Sequence, residues 1–307
     1  MMTIRRVAVP AGLVLALALA AGTAIANEGG SDNAAETETG TETAAVELVN
    51  EGWPAPMAAS GPAEGLVLPL EDYLIPYQDQ VAWETARRTV EQECVTERGL
   101  RWFAPVTYVD PSIPYNTMNT PRRYGITVLA DAEQYGYELP PLDTAAATSR
   151  SAEATDTEIA VLTGRTDDGQ EVAEVDGIEV PEGGCYGESA RTVGELDEEL
   201  ANELAGQAME ASETHPDVVA AIADWSACMA GHGFTVAHPY EASEITTAPA
   251  TEVAVTDIGC KEEVGLVDTW FAVESAIQED LINEHRAALD GEREQNAEVL
   301  ATAEALR

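Results

Sequence analysis

Glu93-Cys94-Val95-Thr96-Glu97-Arg98-Gly99-Leu100 recurs later in the chain as Ala227-Cys228-Met229-Ala230-Gly231-His232-Gly233-Phe234. Gly184-Cys185-Tyr186-Gly187-Glu188 likewise recurs as Gly259-Cys260-Lys261-Glu262-Glu263. The four cysteines of the chain therefore fall twice in one order, a cysteine near a helix end followed by a Gly-Cys. None stands in a Cys-x-x-Cys pair, so neither a metal ribbon nor a dithiol redox motif is written there. An even number of cysteines in a doubled order is a structural framework in a chain that leaves the cytoplasm. Four cysteines allow three pairings, and the repeat favours Cys94 with Cys185 and Cys228 with Cys260. In the chain-entropy account each such bridge stabilises the fold by roughly 4 to 5 kcal/mol, close to the net stability of a whole domain.

The flanking segments supply the helices that carry this framework. Tyr73, Tyr77, Val81, Trp83 and Val90 lead to Cys94 at roughly helical spacing, and Arg98-Gly99 provides a cationic last turn and a stop. Residues 217–232 repeat the device, with Pro216 in front, Val218, Ile222, Trp225 and Met229 on one side, and Gly233 behind. Leu196, Leu200 and Leu204 predict a helix over 194–209. Leu266, Trp270, Val273, Ile277 and Leu281 mark the strongest stripe, over 266–289, expected to dock inward and to break or bend at Gly291. Residues 159–162 and 171–180 look like short strands turning at Asp168-Gly169 and Asp176-Gly177, since Asp-Gly takes the positive φ angles of tight hairpins. The expected class is α+β, mostly α, with two related disulfide-stapled helical units, a small β-ribbon and long irregular segments. The first unit spans 70–212, including an aromatic, Pro- and Gly-punctuated stretch over 102–140, and the second spans 213–307.

Ahead of both units stand Arg5 and Arg6, an apolar run over 7–21 and Ala24-Ile25-Ala26, the form of a signal peptide cleaved after Ala26. Pro10 and Gly12 interrupt the run, which argues against a retained membrane anchor. No cysteine lies near the cleavage point to take a lipid, and no later stretch is long and apolar enough to insert. Residues 27–69 form an acidic and Pro-rich linker that cannot bury enough to offset ordering, as in Thr37-Glu38-Thr39-Gly40-Thr41-Glu42-Thr43. The chain has 15 basic and 56 acidic residues, a formal net charge of −41, and cleavage would remove two of the arginines. Such a field repels phosphate backbones and anionic head groups, so neither nucleic acid nor a membrane surface is an expected partner.

Chemistry-bearing motifs are scarce. There is no Gly-x-Ser-x-Gly elbow, no phosphate-cradling Gly-x-x-x-x-Gly-Lys and no His-Glu-x-x-His. His215 and His238 precede prolines and read as turn residues, while His232 at a helix end suits the dipole. No cofactor, metal or catalytic residue is therefore assigned. Arg122-Arg123-Tyr124 is the one polar cluster that invites a ligand, through a carboxylate, a phosphate or a sugar ring. Its plainer use is to neutralise acids of the chain itself while Tyr124 packs in the core.

The order Cys94-x4-Gly99, Asn119-x2-Arg122-Arg123-Tyr124-Gly125-Ile126, Tyr135-Gly136-Tyr137 and Asp176-Gly177-x2-Val180-Pro181-x-Gly183-Gly184-Cys185-x-Gly187-Glu188-Ser189 resembles exported proteins and lipoproteins of actinobacteria that have no assigned function. Trp225-x2-Cys228-Met229-x3-Gly233-Phe234, Asp257-x2-Cys260 and Trp270-Phe271-x2-Glu274 are similar to the same group. The likeness covers about residues 70 to 290. It implies a secreted or wall-associated protein, brings no catalytic residues, and lacks here the lipobox cysteine that many members carry. The resulting expectation is a non-catalytic protein that binds or scaffolds an unidentified envelope or extracellular component. The alternative is a secreted hydrolase of envelope polymers working through an unmarked carboxylate pair.

Overall fold

The computed structural model of the chain describes residues 60–101, 118, 120–140 and 154–306. The expected signal peptide, the linker up to residue 59 and the aromatic stretch 102–117 lie outside the described residues. Among the described residues the α-helices are α1 (Tyr77–Glu97), α2 (Thr120–Arg123), α3 (Leu129–Tyr135), α4 (Asp156–Thr163), α5 (Gly184–Val193), α6 (Glu199–Glu213), α7 (Pro216–Gly231), α8 (Ala250–Val264) and α9 (Leu266–Ala305). A two-stranded antiparallel ribbon, β1 (Glu174–Val175) with β2 (Ile178–Glu179), completes the mostly helical α+β fold.

Both staples are present in the favoured pairing, Cys94 with Cys185 and Cys228 with Cys260. All four cysteines are helix-borne: the first bridge ties α1 to α5, and the second ties α7 to α8. Cys260 lies inside a helix, α8, where the sequence pattern marks a helix only from Leu266 onward. Helix α9 is the spine of this body. Its buried face runs through Leu266, Val267, Trp270, Glu274, Gln278, Ile282, Leu289, Asn296 and Ala303, and it packs on α1, α6, α7 and α8. Ala303 closes on Ala86 and Val90 of α1, so the last turns of the spine reach the first stapled pair.

Several elements differ from their expected form, each for a local reason. Residues 159–162 are helical, in α4. Thr155 Oγ1 accepts from the Glu158 backbone N–H at 3.2 Å, while Glu158 Oε2 accepts from the Thr155 N–H at 2.8 Å. This reciprocal capping box nucleates a helix where apolar residues alone suggested a strand. The Asp176-Gly177 turn does close the ribbon, with φ of 51° and 80°. Helix α6 begins at Glu199 rather than near Gly194, because the backbone ahead of it is hydrogen-bonded to α9. Asn296 accepts from the Asp197 N–H at 2.9 Å and donates to the Asp197 carbonyl at 2.6 Å. Gly291 neither ends nor breaks α9, since Leu289 and Asn296 anchor the helix on both sides of it. Burial also starts earlier than Leu70: Ala63 and Leu68 are fully covered, and the Leu70 N–H donates to Gln278 Oε1 at 3.0 Å.

Candidate functional site

The short helix α2 places Arg123 and Tyr124 directly against the spine. The Arg123 Nε donates to both carboxylate oxygens of Glu274 at 2.9 Å, and its Nη2 adds a second contact to Oε1. Tyr124 donates its hydroxyl to Glu274 Oε2 at 2.8 Å, and Gln278, one turn further along α9, donates to Oε1 at 2.9 Å. Arg123 has remaining donors on the carbonyls of Met118 and Ala205. The Glu274 side chain has no exposed surface and that of Arg123 very little. Burial works against the Arg123 charge, but the hydrogen bonds and negative charge of Glu274 outweigh it and hold the guanidinium above its ordinary pKa. Burial, followed by the neighbouring Glu274 charge, pushes the Tyr124 hydroxyl far above the usual phenol range. Its ring lies 5.4 Å from that of Trp270, so one residue serves both the polar network and the aromatic core.

Arg122 turns the other way. It donates to the carbonyls of Tyr137 at 2.9 Å and Glu138 at 3.0 Å, which close the loop after α3. The cavity beside it, lined by Ile126, Asp131 and Gly136, holds about 10 Å³, room for about one water. The three residues singled out in the sequence are thus divided: Arg123 and Tyr124 converge on Glu274, and Arg122 braces a loop.

A second buried network adjoins the first through Gly125 and Ile126. Lys261, the only lysine of the chain, donates from Nζ to Asp257 Oδ2 and to the Ile126 carbonyl, each at 3.0 Å. Trp225 Nε1 donates to Asp257 Oδ1 at 2.9 Å, and the Tyr137 hydroxyl reaches Oδ2 at 3.3 Å. Burial raises the Asp257 pKa and lowers that of Lys261, because each charge has left water. Gly125 has φ of +83°, and a Cβ there would stand 2.5 Å from Lys261 Nζ, so only glycine lets the backbone pass.

Chemically, both networks are closed. The oxygens of Glu274 and Asp257 are each taken up by several donors of the chain itself, which leaves neither carboxylate facing a substrate. Two open grooves among the described residues lie elsewhere. One, of about 650 Å³, runs past Ser226, Thr235, Glu241, Glu244, Thr246 and Thr247. Another, of about 430 Å³, is lined by His215, Val273, Ile277 and Asp280 among others. Sequence reasoning missed Glu274, Gln278, Asp257 and Lys261 as network members. The i,i+4 spacing of Asp257 and Lys261 would have served as a signal had α8 been recognised. No protein-family model matches the chain, and no curated protein or solved structure shows significant similarity to it.

Proposed function

We propose that the protein is a secreted, disulfide-stapled binding or scaffolding body of the cell envelope or extracellular space. The observation that carries this reading is where the strong chemical groups are. Arg123 is paired with Glu274 and Lys261 with Asp257 inside the fold, whereas the larger of the two grooves presents serine, threonine and glutamate side chains beside Val236, Ala237 and Ile245, around space for an extended segment. Such walls offer hydrogen bonds and negative charge, which suits a hydroxyl-rich or cationic segment of an envelope polymer or protein. Two disulfides accord with an oxidising compartment, and no helix among the described residues is long and apolar enough to cross a membrane. The test is retention of the purified protein on isolated envelope fractions, compared with a Glu241→Gln/Glu244→Gln variant. Retention that the variant loses supports the reading. Turnover of labelled peptidoglycan that a single Asp or Glu substitution abolishes would replace it with the hydrolase.

A further inference from the structure

The Cys228–Cys260 staple differs from its counterpart in what stands beside it. A nitrogen of His232 and the two Sγ atoms lie within 4.8 Å of one another. Glu263 Oε2 lies 3.8 Å from Cys228 Sγ. Two facing helices supply the set. Cys228 and His232 are one turn apart at the end of α7, and Cys260 and Glu263 are three apart at the end of α8. The His232 side chain is exposed, and among the described residues no hydrogen bond or ion pair engages its imidazole. Cys228 is partly exposed while Cys94 and Cys185 are buried, so an external thiol has a path to this bridge that it lacks to the other.

We propose that reduction of the Cys228–Cys260 bridge uncovers a site for a borderline divalent cation, zinc first, with Cys228, Cys260 and His232 as ligands and Glu263 or water in the fourth position. The donor set of two thiolates, one imidazole and one oxygen is the composition that tetrahedral zinc accepts. Ligand atoms at zinc distances stand about 3.3 to 3.8 Å apart. The Glu263 contact already meets that spacing, and the sulfurs need only part by side-chain rotation while α7 and α8 stay packed. The redox step consumes two molecules of a small thiol. The S–S bond breaks, each Sγ gains a proton, and the two small thiols leave as their own disulfide. The cation then displaces both thiol protons and forms two metal–sulfur bonds. One covalent clip between α7 and α8 is so exchanged for another, in a chain whose excess of acids draws cations towards it.

The experiment uses the full chain, reduced with a phosphine under nitrogen and titrated with Co²⁺ as the spectroscopic probe, then with Zn²⁺ in competition. The expected result is one equivalent of Co²⁺ with sulfur charge-transfer absorption, displaced by one equivalent of Zn²⁺. His232→Ala, an exposed position whose change leaves the core intact, is expected to weaken binding by tenfold or more. A second readout is thermal: Zn²⁺ should raise the melting temperature of the reduced wild type and not that of reduced His232→Ala. Absence of sulfur-to-cobalt absorption in the reduced wild type, or equal affinity in His232→Ala, would overturn the proposal.

Discussion

Lys261 Nζ stands 3.0 Å from Asp257 Oδ2 with neither side chain retaining any exposed surface. Two charges this deep repay their lost hydration only when both are present and further hydrogen bonds fill the remaining sites, as those from Trp225 and Tyr137 and to Ile126 do. Lys261→Met removes one partner and leaves Asp257 uncompensated. We expect a loss of about 3 to 5 kcal/mol in denaturant unfolding. Adding Asp257→Asn, which keeps an acceptor for Trp225 while removing the stranded charge, should recover part of that loss. Additive losses in the double variant would show that the pair is not coupled.

The Arg123–Glu274 pair ties α2 to the amino-terminal part of the spine, and Tyr124 supplies a neutral donor to the same carboxylate. Tyr124→Phe keeps the ring against Trp270 and deletes only that donor. The expected cost is about 1.5 to 3 kcal/mol, the range for a hydrogen bond to a charged group. Glu274→Gln should cost more, about 3 to 5 kcal/mol, because it leaves the Arg123 guanidinium buried without a counter-charge. Chemical unfolding monitored by tryptophan fluorescence ranks the two, and a larger effect from Tyr124→Phe would contradict the assignment of Glu274 as the hub.

Much of this framework was written in local patterns and the rest was not, for physical reasons. The doubled cysteine motifs, the helix ahead of Gly233 and the Asp176-Gly177 turn are short-range signals, and the structure carries each of them. Leu266 and Trp270 of the apolar stripe of α9 are buried as expected, but from residue 273 onward the inward face is offset from it by one residue. Glu274, Gln278 and Ile282 are buried where Val273, Ile277 and Leu281 were expected. Hydrophobic periodicity assumes that polar residues seek water. At Glu274 and Gln278 the partners arrive from α2 and from the lead-in at Leu70, distant in sequence. The same blindness hid α8, whose buried face mixes Val253, Ala254 and Ile258 with Asp257 and Lys261. A buried ion pair breaks the stripe that would have announced the helix.

The two staples close loops of different size, with sequence separations of 91 for Cys94–Cys185 and 32 for Cys228–Cys260. Replacing each pair with alanines should therefore cost unequal amounts, roughly 5 kcal/mol for the first and roughly 4 kcal/mol for the second in the chain-entropy account. Unfolding of the two double variants in oxidising buffer checks the order. A larger loss from Cys228→Ala/Cys260→Ala would mean that local packing of α7 on α8, rather than constraint of the unfolded chain, sets the contribution.

Glu91 gives the fold a pH dependence with a defined sign. It lies on α1 facing α5, 5 % exposed, where Ser189 Oγ donates to its Oε1 at 2.9 Å. Burial pushes its pKa up to about 7 against the opposing effects of Ser189 and Arg87. Between the ordinary carboxylate value and about 7 the native state therefore holds a proton that the unfolded chain has released. The contribution of this group to stability is complete at low pH and is lost as pH rises through about 7, amounting to about 3 kcal/mol for a shift of this size. Glu91→Gln copies the protonated form at every pH. The variant should match the wild type near pH 4 and exceed it by up to about 3 kcal/mol at pH 8, with the gap opening across the interval between. Urea midpoints taken in parallel from pH 4 to pH 8 provide the measurement. A constant offset between the two proteins across that range would show that Glu91 stays ionised in the folded chain.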